Sequence, residues 1–253
     1  MTSDIPNSIN PVALITGGAA RIGAAIARTL HAAGFNIIIH YRNSQASAQS
    51  LISELNTLRP ETAICLQANL LDATDISRLA LQATAQWGHV NALINNASSF
   101  YATPIEKASE EQWDDLLGSN VKAPFFLAQA LAPTLTANKG AIINLADIYA
   151  DRPLPSHSIY CVAKAANVML TKALAQELAP RVRVNGIAPG AILWPEQGGT
   201  TDEKSQQTLL NKIPLGNTGT TTDIANTVLF LLRDAPYITG QIITVDGGRS
   251  ISH

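Results

Sequence analysis

Short apolar runs recur along this chain, separated by longer stretches whose apolar positions repeat every three to four residues. The runs are VALIT (12–16), NIIIHY (36–41), AICLQAN (63–69), ALINNAS (92–98), AIINLAD (141–147), RVNGIAP (183–189) and QIITVDGG (241–248). A near-continuous apolar run of this length predicts a strand covered by helices on both faces. The intervening stretches predict helices. One is the alanine-rich GAAIARTLHAAG closing on Gly34, and another runs from about Ser47 to Leu58. The two longest run from about Glu110 to Thr136 and from Ser158 to Ala179. Strand–helix alternation predicts right-handed crossovers and an α/β fold, with a doubly wound, seven-stranded parallel sheet. No repeat or break in composition divides residues 1–253, which therefore read as one domain. The only long irregular polar stretch, AILWPEQGGTTDEKS (191–205), precedes the last helices and is expected to be a substrate-loop insertion. Its Trp194 is either a lid residue or a surface anchor.

Composition narrows the function. The chain is 46% hydrophobic and 14% charged with a net charge of -2, enough apolar material for a large core and no basic footprint for nucleic acid. No stretch of about 18 uninterrupted apolar residues predicts a membrane span. The start, MTSDIPNSINPVALIT, lacks a basic segment followed by an apolar run, which predicts a cytoplasmic protein. Cys65 and Cys161 make no CxxC and the five histidines are scattered, so reduced thiols and no metal site are expected. Cys161 is expected to pack beneath its helix.

Candidate chemistry lies in three places. TGGAARIG (16–23) follows the first strand and opens a helix, where Gly17 and Gly23 suit a tight turn and the close approach of a pyrophosphate. Arg21 stands where a middle glycine might be expected, and its guanidinium can meet a phosphate or a bound ligand. The second strand ends in HYRNS (40–44) with no acid for the adenosine ribose hydroxyls. Arg42 is instead a natural partner for a 2′-phosphate, with Asn43 and Ser44 beside it, which points to NADPH. Finally, Tyr160 and Lys164 are four residues apart, on one face of a helix. Asp147 stands thirteen residues before the tyrosine, as a loop cap or as part of the site.

Several of these motifs together resemble the short-chain dehydrogenases/reductases along nearly the whole chain. The matching residues are TGGAARIG, NNAS (95–98), Asn120 in LGSNVKAPFFL, Tyr160 with Lys164, APG (188–190) and ITGQIITVDGG (238–248). The resemblance implies a single-domain Rossmann fold, usually tetrameric, that moves a hydride between NAD(P) and substrate. It implies that Tyr160 donates a proton, that Lys164 holds the nicotinamide ribose and lowers the tyrosine pKa, and that Asn120 supports a water-linked proton path. It also implies cofactor contacts from Ile22, His40, Tyr41, Asn69, Leu70, Asn96, Ala97, Ser98, Pro189 and Gly190.

The family usually has serine where Asp147 stands. That departure, Arg21, HYRNS and NNASSFY (95–101) are similar to the pteridine reductases. By that resemblance Phe100 stacks on a pterin, Ser98 and Arg21 contact it, and the carboxylate belongs to the site. One mismatch is Asn69-Leu70, where Asp-Leu is common near the adenine; Asn69 still offers an acceptor. Chemistry agrees, because a ketone builds negative charge on oxygen, which a carboxylate would repel. A dihydropterin is reduced at C=N, where a ring nitrogen gains a proton. The expected function is NADPH-dependent reduction of dihydrobiopterin, dihydromonapterin or dihydrofolate in tetrahydrobiopterin or folate metabolism. The alternatives are a generic carbonyl or 3-oxoacyl reductase and a non-catalytic NADP-binding regulator.

Overall fold

Each predicted strand forms, and all seven lie parallel in one sheet of order β3-β2-β1-β4-β5-β6-β7. The computed structural model describes residues 10–192 and 203–252. The strands are β1 (Val12–Ile15), β2 (Asn36–Tyr41), β3 (Ala63–Gln67), β4 (Ala92–Asn95), β5 (Ala141–Leu145), β6 (Arg183–Pro189) and β7 (Ile242–Val245). The helices are α1 (Arg21–Ala32), α2 (Gln45–Leu58), α3 (Ala73–Trp87), α4 (Glu110–Leu117), α5 (Ala123–Ala137), α6 (Ser158–Glu177), α7 (Glu203–Leu210) and α8 (Thr221–Arg233).

The apolar runs are continuous because successive side chains enter two different cores. Ile15, Ile37 and Ile39 pack with Ile26, Leu30 and Val228 on one face of the sheet. Leu14 and Ile38 pack with Leu79, Leu127 and Leu174 on the other. The edge strands β3 and β7 are only partly covered. Among the described residues no helix is long and apolar enough to cross a membrane.

The expected helix from Glu110 to Thr136 is interrupted. A π turn, Gly118–Lys122, separates α4 from α5, and the Ala123 N–H reaches five residues back to the Gly118 carbonyl. Pro124 explains part of this break. It has no N–H to close the usual bond to the carbonyl of Asn120. That carbonyl instead accepts from Asn167 Nδ2 on α6 at 2.8 Å. A single π turn inside a helix is a common feature of functional sites, and this one fixes Asn120.

The order of strands reverses between β1 and β4, which opens a crevice at their carboxyl ends. Thr16 ties the two sides together. Its hydroxyl accepts the backbone N–H groups of Asn96 and Ala97, each at 3.0 Å.

Candidate active site

The turn from β1 into α1 is built for close approach of a ligand. Gly17 has φ +59, in the left-handed region that favours glycine. A Cβ on Gly23 would lie 2.5 Å from the Gly17 carbonyl and 2.8 Å from Asn96 Nδ2. Asn96 Nδ2 already holds the carbonyls of Thr16 and Gly17, at 2.9 and 3.0 Å. The N-cap of α1 is Ala20, whose side chain makes no cap, so first-turn N–H groups remain for an anion. Ile22 packs half-buried against the core behind the loop. Arg21 adopts φ +50 and is exposed.

At the end of β2, Arg42, Asn43 and Ser44 are exposed. Ser44 is the N-cap of α2, but its hydroxyl makes no cap. Arg42, Asn43, Gln67, Asn69, Asp75 and Arg78 line a cavity of about 440 Å³. Asn69 Oδ1 accepts the Leu71 N–H at 3.2 Å, and its own N–H donates to Asp75 Oδ2 at 2.7 Å. Tyr41 and Leu70 are buried in the two cores, so their side chains are not available to a ligand there. Pro189 and Gly190 close β6, where a Cβ on Gly190 would meet Asp246 Cβ at 2.5 Å. The glycine cradle, the uncapped helix end and this cavity fit a nicotinamide dinucleotide.

The candidate reacting end lies between β5 and α6. Tyr160 is buried, and its hydroxyl donates to Asp147 Oδ2 at 2.7 Å. Asp147 Oδ1 accepts the Tyr149 N–H at 2.9 Å and so caps the short 3₁₀ turn at Ile148–Ala150. Lys164, one helical turn after Tyr160, is buried and donates to the Leu145 carbonyl at 2.8 Å. Its Nζ lies 5.6 Å from the centre of the Tyr160 ring.

Burial dominates the charges here. It raises the Asp147 carboxyl, against the bonds from Tyr149 and Tyr160 and the charges of Lys164 and Arg249. It brings Lys164 down to about 8, which the Asp147 charge opposes. The resemblance implies a tyrosine pKa lowered by Lys164. In this chain burial and the adjacent carboxylate instead push the Tyr160 phenol well above its ordinary value. Tyr160 is thus a firmly protonated donor, held by an acceptor able to take up a proton itself.

Around this pair stand the remaining candidates. Asn120 is buried; its Nδ2 donates to the carbonyls of Leu116 and Ser99, and its Oδ1 accepts from Ser98 Oγ at 2.7 Å. With that proton committed, the exposed Ser98 hydroxyl has only its lone pairs to offer. Phe100 is 55% exposed, edge-on to Tyr160 at 4.8 Å and stacked on His157 at 5.0 Å. It is not a core residue. Trp194 lies outside the described residues. Cys161 is buried, with its sulfur accepting the Leu154 N–H.

Sequence reasoning missed Thr16, Arg78, His157 and Arg249. His157 was within reach of it, since it precedes Tyr160 by three residues, at the N-cap of α6. Arg249 was not. It comes from the chain's far end to donate to the Tyr149 hydroxyl at 2.9 Å and place positive charge near Asp147.

The family model described as Enoyl-(Acyl carrier protein) reductase matches residues 17–250. The chain belongs to the short-chain dehydrogenase/reductase family. It is an oxidoreductase of the NAD(P)-dependent kind. This reductase is 36% identical over 239 residues to the 3-oxoacyl-[acyl-carrier-protein] reductase FabG of Staphylococcus aureus, covering 93% of this chain and 96% of the relative. The FabG protein of Staphylococcus epidermidis is also 36% identical, over 243 residues, 95% of this chain and 99% of its own. Pteridine reductase 1 of Leishmania tarentolae reaches the same 36%, over 283 residues, 96% of this chain and 97% of its own. Overall similarity therefore divides between two substrate classes, and particular residues must decide between them.

Proposed function

We propose that this reductase uses NADPH to reduce dihydropterins, among them dihydrobiopterin, dihydromonapterin and dihydrofolate, to their tetrahydro forms. The observation that carries the reading is the 2.7 Å hydrogen bond from the Tyr160 hydroxyl to Asp147. A ketone reductase needs that hydroxyl aimed at the substrate oxygen, and a carboxylate beside it opposes the charge that develops there. Reduction of C=N asks for a proton at a ring nitrogen, and an acid–phenol pair supplies one. When bound, NADPH supplies the hydride. Tyr160 gives its proton to the nitrogen; Asp147 as a carboxylate offsets positive charge on the ring, and then, its pKa raised by burial, takes up a proton from solvent and passes it to the phenolate. Lys164 holds a positive charge beneath the ribose end, and Asn120 orders Ser98 at the rim. Phe100, exposed and edge-on to Tyr160, offers a flat face for an aromatic heterocycle. Arg42, at the rim of the adenosine-side cavity, supports NADPH over NADH. A homotetramer belongs to the same proposal, by family resemblance.

The FabG relatives support a second reading, a 3-oxoacyl reductase; against it stands the carboxylate of Asp147. The deciding assay follows NADPH oxidation with dihydrobiopterin, dihydrofolate, an acetoacetyl thioester, or no substrate. Turnover of the dihydropterins well above the thioester is expected. Turnover of the thioester alone would establish the second reading, and turnover of none would remove both.

A further inference from the structure

His40 is buried in β2 and takes no part in the chemistry above. Its imidazole is nevertheless engaged on both sides. Nδ1 lies 3.2 Å from the backbone N of Gly17, and Nε2 lies 3.0 Å from the Ala68 carbonyl. A carbonyl can only accept, so Nε2 carries the proton; Nδ1 is bare and accepts the Gly17 N–H. The two bonds fix one neutral tautomer. Burial supports that state by drawing the ring's pKa down to about 4, with the Arg42 charge acting in the same direction. The backbone adds a third tie, as the Gly18 N–H donates to the His40 carbonyl at 3.1 Å.

The two anchored groups belong to the two halves of the dinucleotide cradle. Gly17 is the left-handed residue of the glycine loop, and Ala68 lines the adenosine-side cavity next to Asn69. We infer that His40 is a positioning residue that sets the spacing of these two loops, so that pyrophosphate and adenosine are received together. It acts through Gly17 and Ala68 rather than by touching the nucleotide. The inference rests on the dinucleotide reading of the cradle, but not on a 2′-phosphate at Arg42.

Side-chain geometry supplies the test. In His40→Asn, Oδ1 falls near the place of Nδ1 and can accept the Gly17 N–H. In His40→Gln the amide extends toward Ala68 and leaves Gly17 without its acceptor, and His40→Leu serves neither. Dissociation constants for NADPH and NADH are measured for all four proteins well below their melting temperatures, which are recorded separately. The Asn variant should stay within about threefold of wild type, while Gln and Leu weaken about tenfold or more. The weakening should be equal for both cofactors, whereas loss of a 2′-phosphate contact would affect NADPH alone. Should the Leu variant not fold, the Asn–Gln pair still decides. Identical affinities throughout with lowered melting temperatures would make His40 a structural residue only. An Asn variant as weak as Gln, or a loss confined to NADPH, would equally overturn the inference.

Discussion

The hydroxyl of Tyr160 donates to one oxygen of Asp147 at 2.7 Å while the other oxygen holds the Tyr149 N–H at 2.9 Å. The carboxylate is therefore both a turn cap and a partner of the proton donor, and the two roles depend on each other. The cap fixes the carboxyl plane, and the fixed plane presents Oδ2 to the phenol. Burial of Tyr160, beside the partly buried Asp147 carboxylate, keeps the shared proton on tyrosine.

Cofactor choice should follow Arg42. Arg42→Ala should weaken NADPH binding by about 1.5–3 kcal/mol, as expected for a charge-assisted contact to phosphate, and less at high salt. NADH binding should hardly change. Titration of both cofactors into wild type and variant reads this directly, and equal losses would remove Arg42 from a phosphate site.

Phe100 should bind substrate without supporting the fold. Its ring is 55% exposed, so Phe100→Ala should leave the melting temperature within a few degrees. The Michaelis constant for a dihydropterin should rise severalfold, since an aromatic contact contributes about 1 kcal/mol beyond burial. NADPH affinity should not move. A large fall in melting temperature, or an unchanged Michaelis constant, would contradict a stacking role.

His40 also makes a prediction about acid stability. Its pKa lies near 4 when folded against an ordinary 6.5. Between those values the unfolded chain binds a proton that the folded chain refuses, so the stabilisation present above pH 6.5 is lost as the pH falls toward 4. At 1.36 kcal/mol per pH unit of separation the full loss is about 3 kcal/mol. His40→Asn cannot titrate there, so its unfolding free energy should decline less steeply over this window than that of wild type. Subtracting the two curves cancels the carboxylates common to both proteins. Parallel curves would mean that His40 is protonated alike in both states.

The inner strands were legible because a parallel strand buried on both faces has no polar side, and the edge strands β3 and β7 because their short apolar runs recur between helical stretches in the same alternation. The break in the helix after Leu117 was not legible. Pro124 is visible in the sequence, but the π turn also needs Asn167, distant in sequence, to receive the freed Asn120 carbonyl. The thirteen-residue spacing of Asp147 and Tyr160 announced a pair without saying which atom held the proton. That depends on burial, which only the packed chain fixes. In HYRNS the exposed Arg42 drew attention for its charge, whereas the work of His40 appears only once the sheet brings Gly17 and Ala68 to either side of its ring.

On the proposed function the Asp147 carboxylate adapts a short-chain reductase to C=N reduction, and the variant that bears on this role is Asp147→Ser. The change restores the serine usual in the family and leaves Asn120, Tyr160 and Lys164 in place. Steady-state kinetics would be measured on one dihydropterin and one simple ketone, with NADPH affinity as the control. Dihydropterin turnover should fall about 10²-fold or more, the lower range for loss of a proton-transfer partner. Ketone turnover should hold or rise, because a hydroxyl can donate to the developing oxyanion, and NADPH affinity should stay put. Unchanged dihydropterin turnover would contradict the account and leave Asp147 as a turn cap alone.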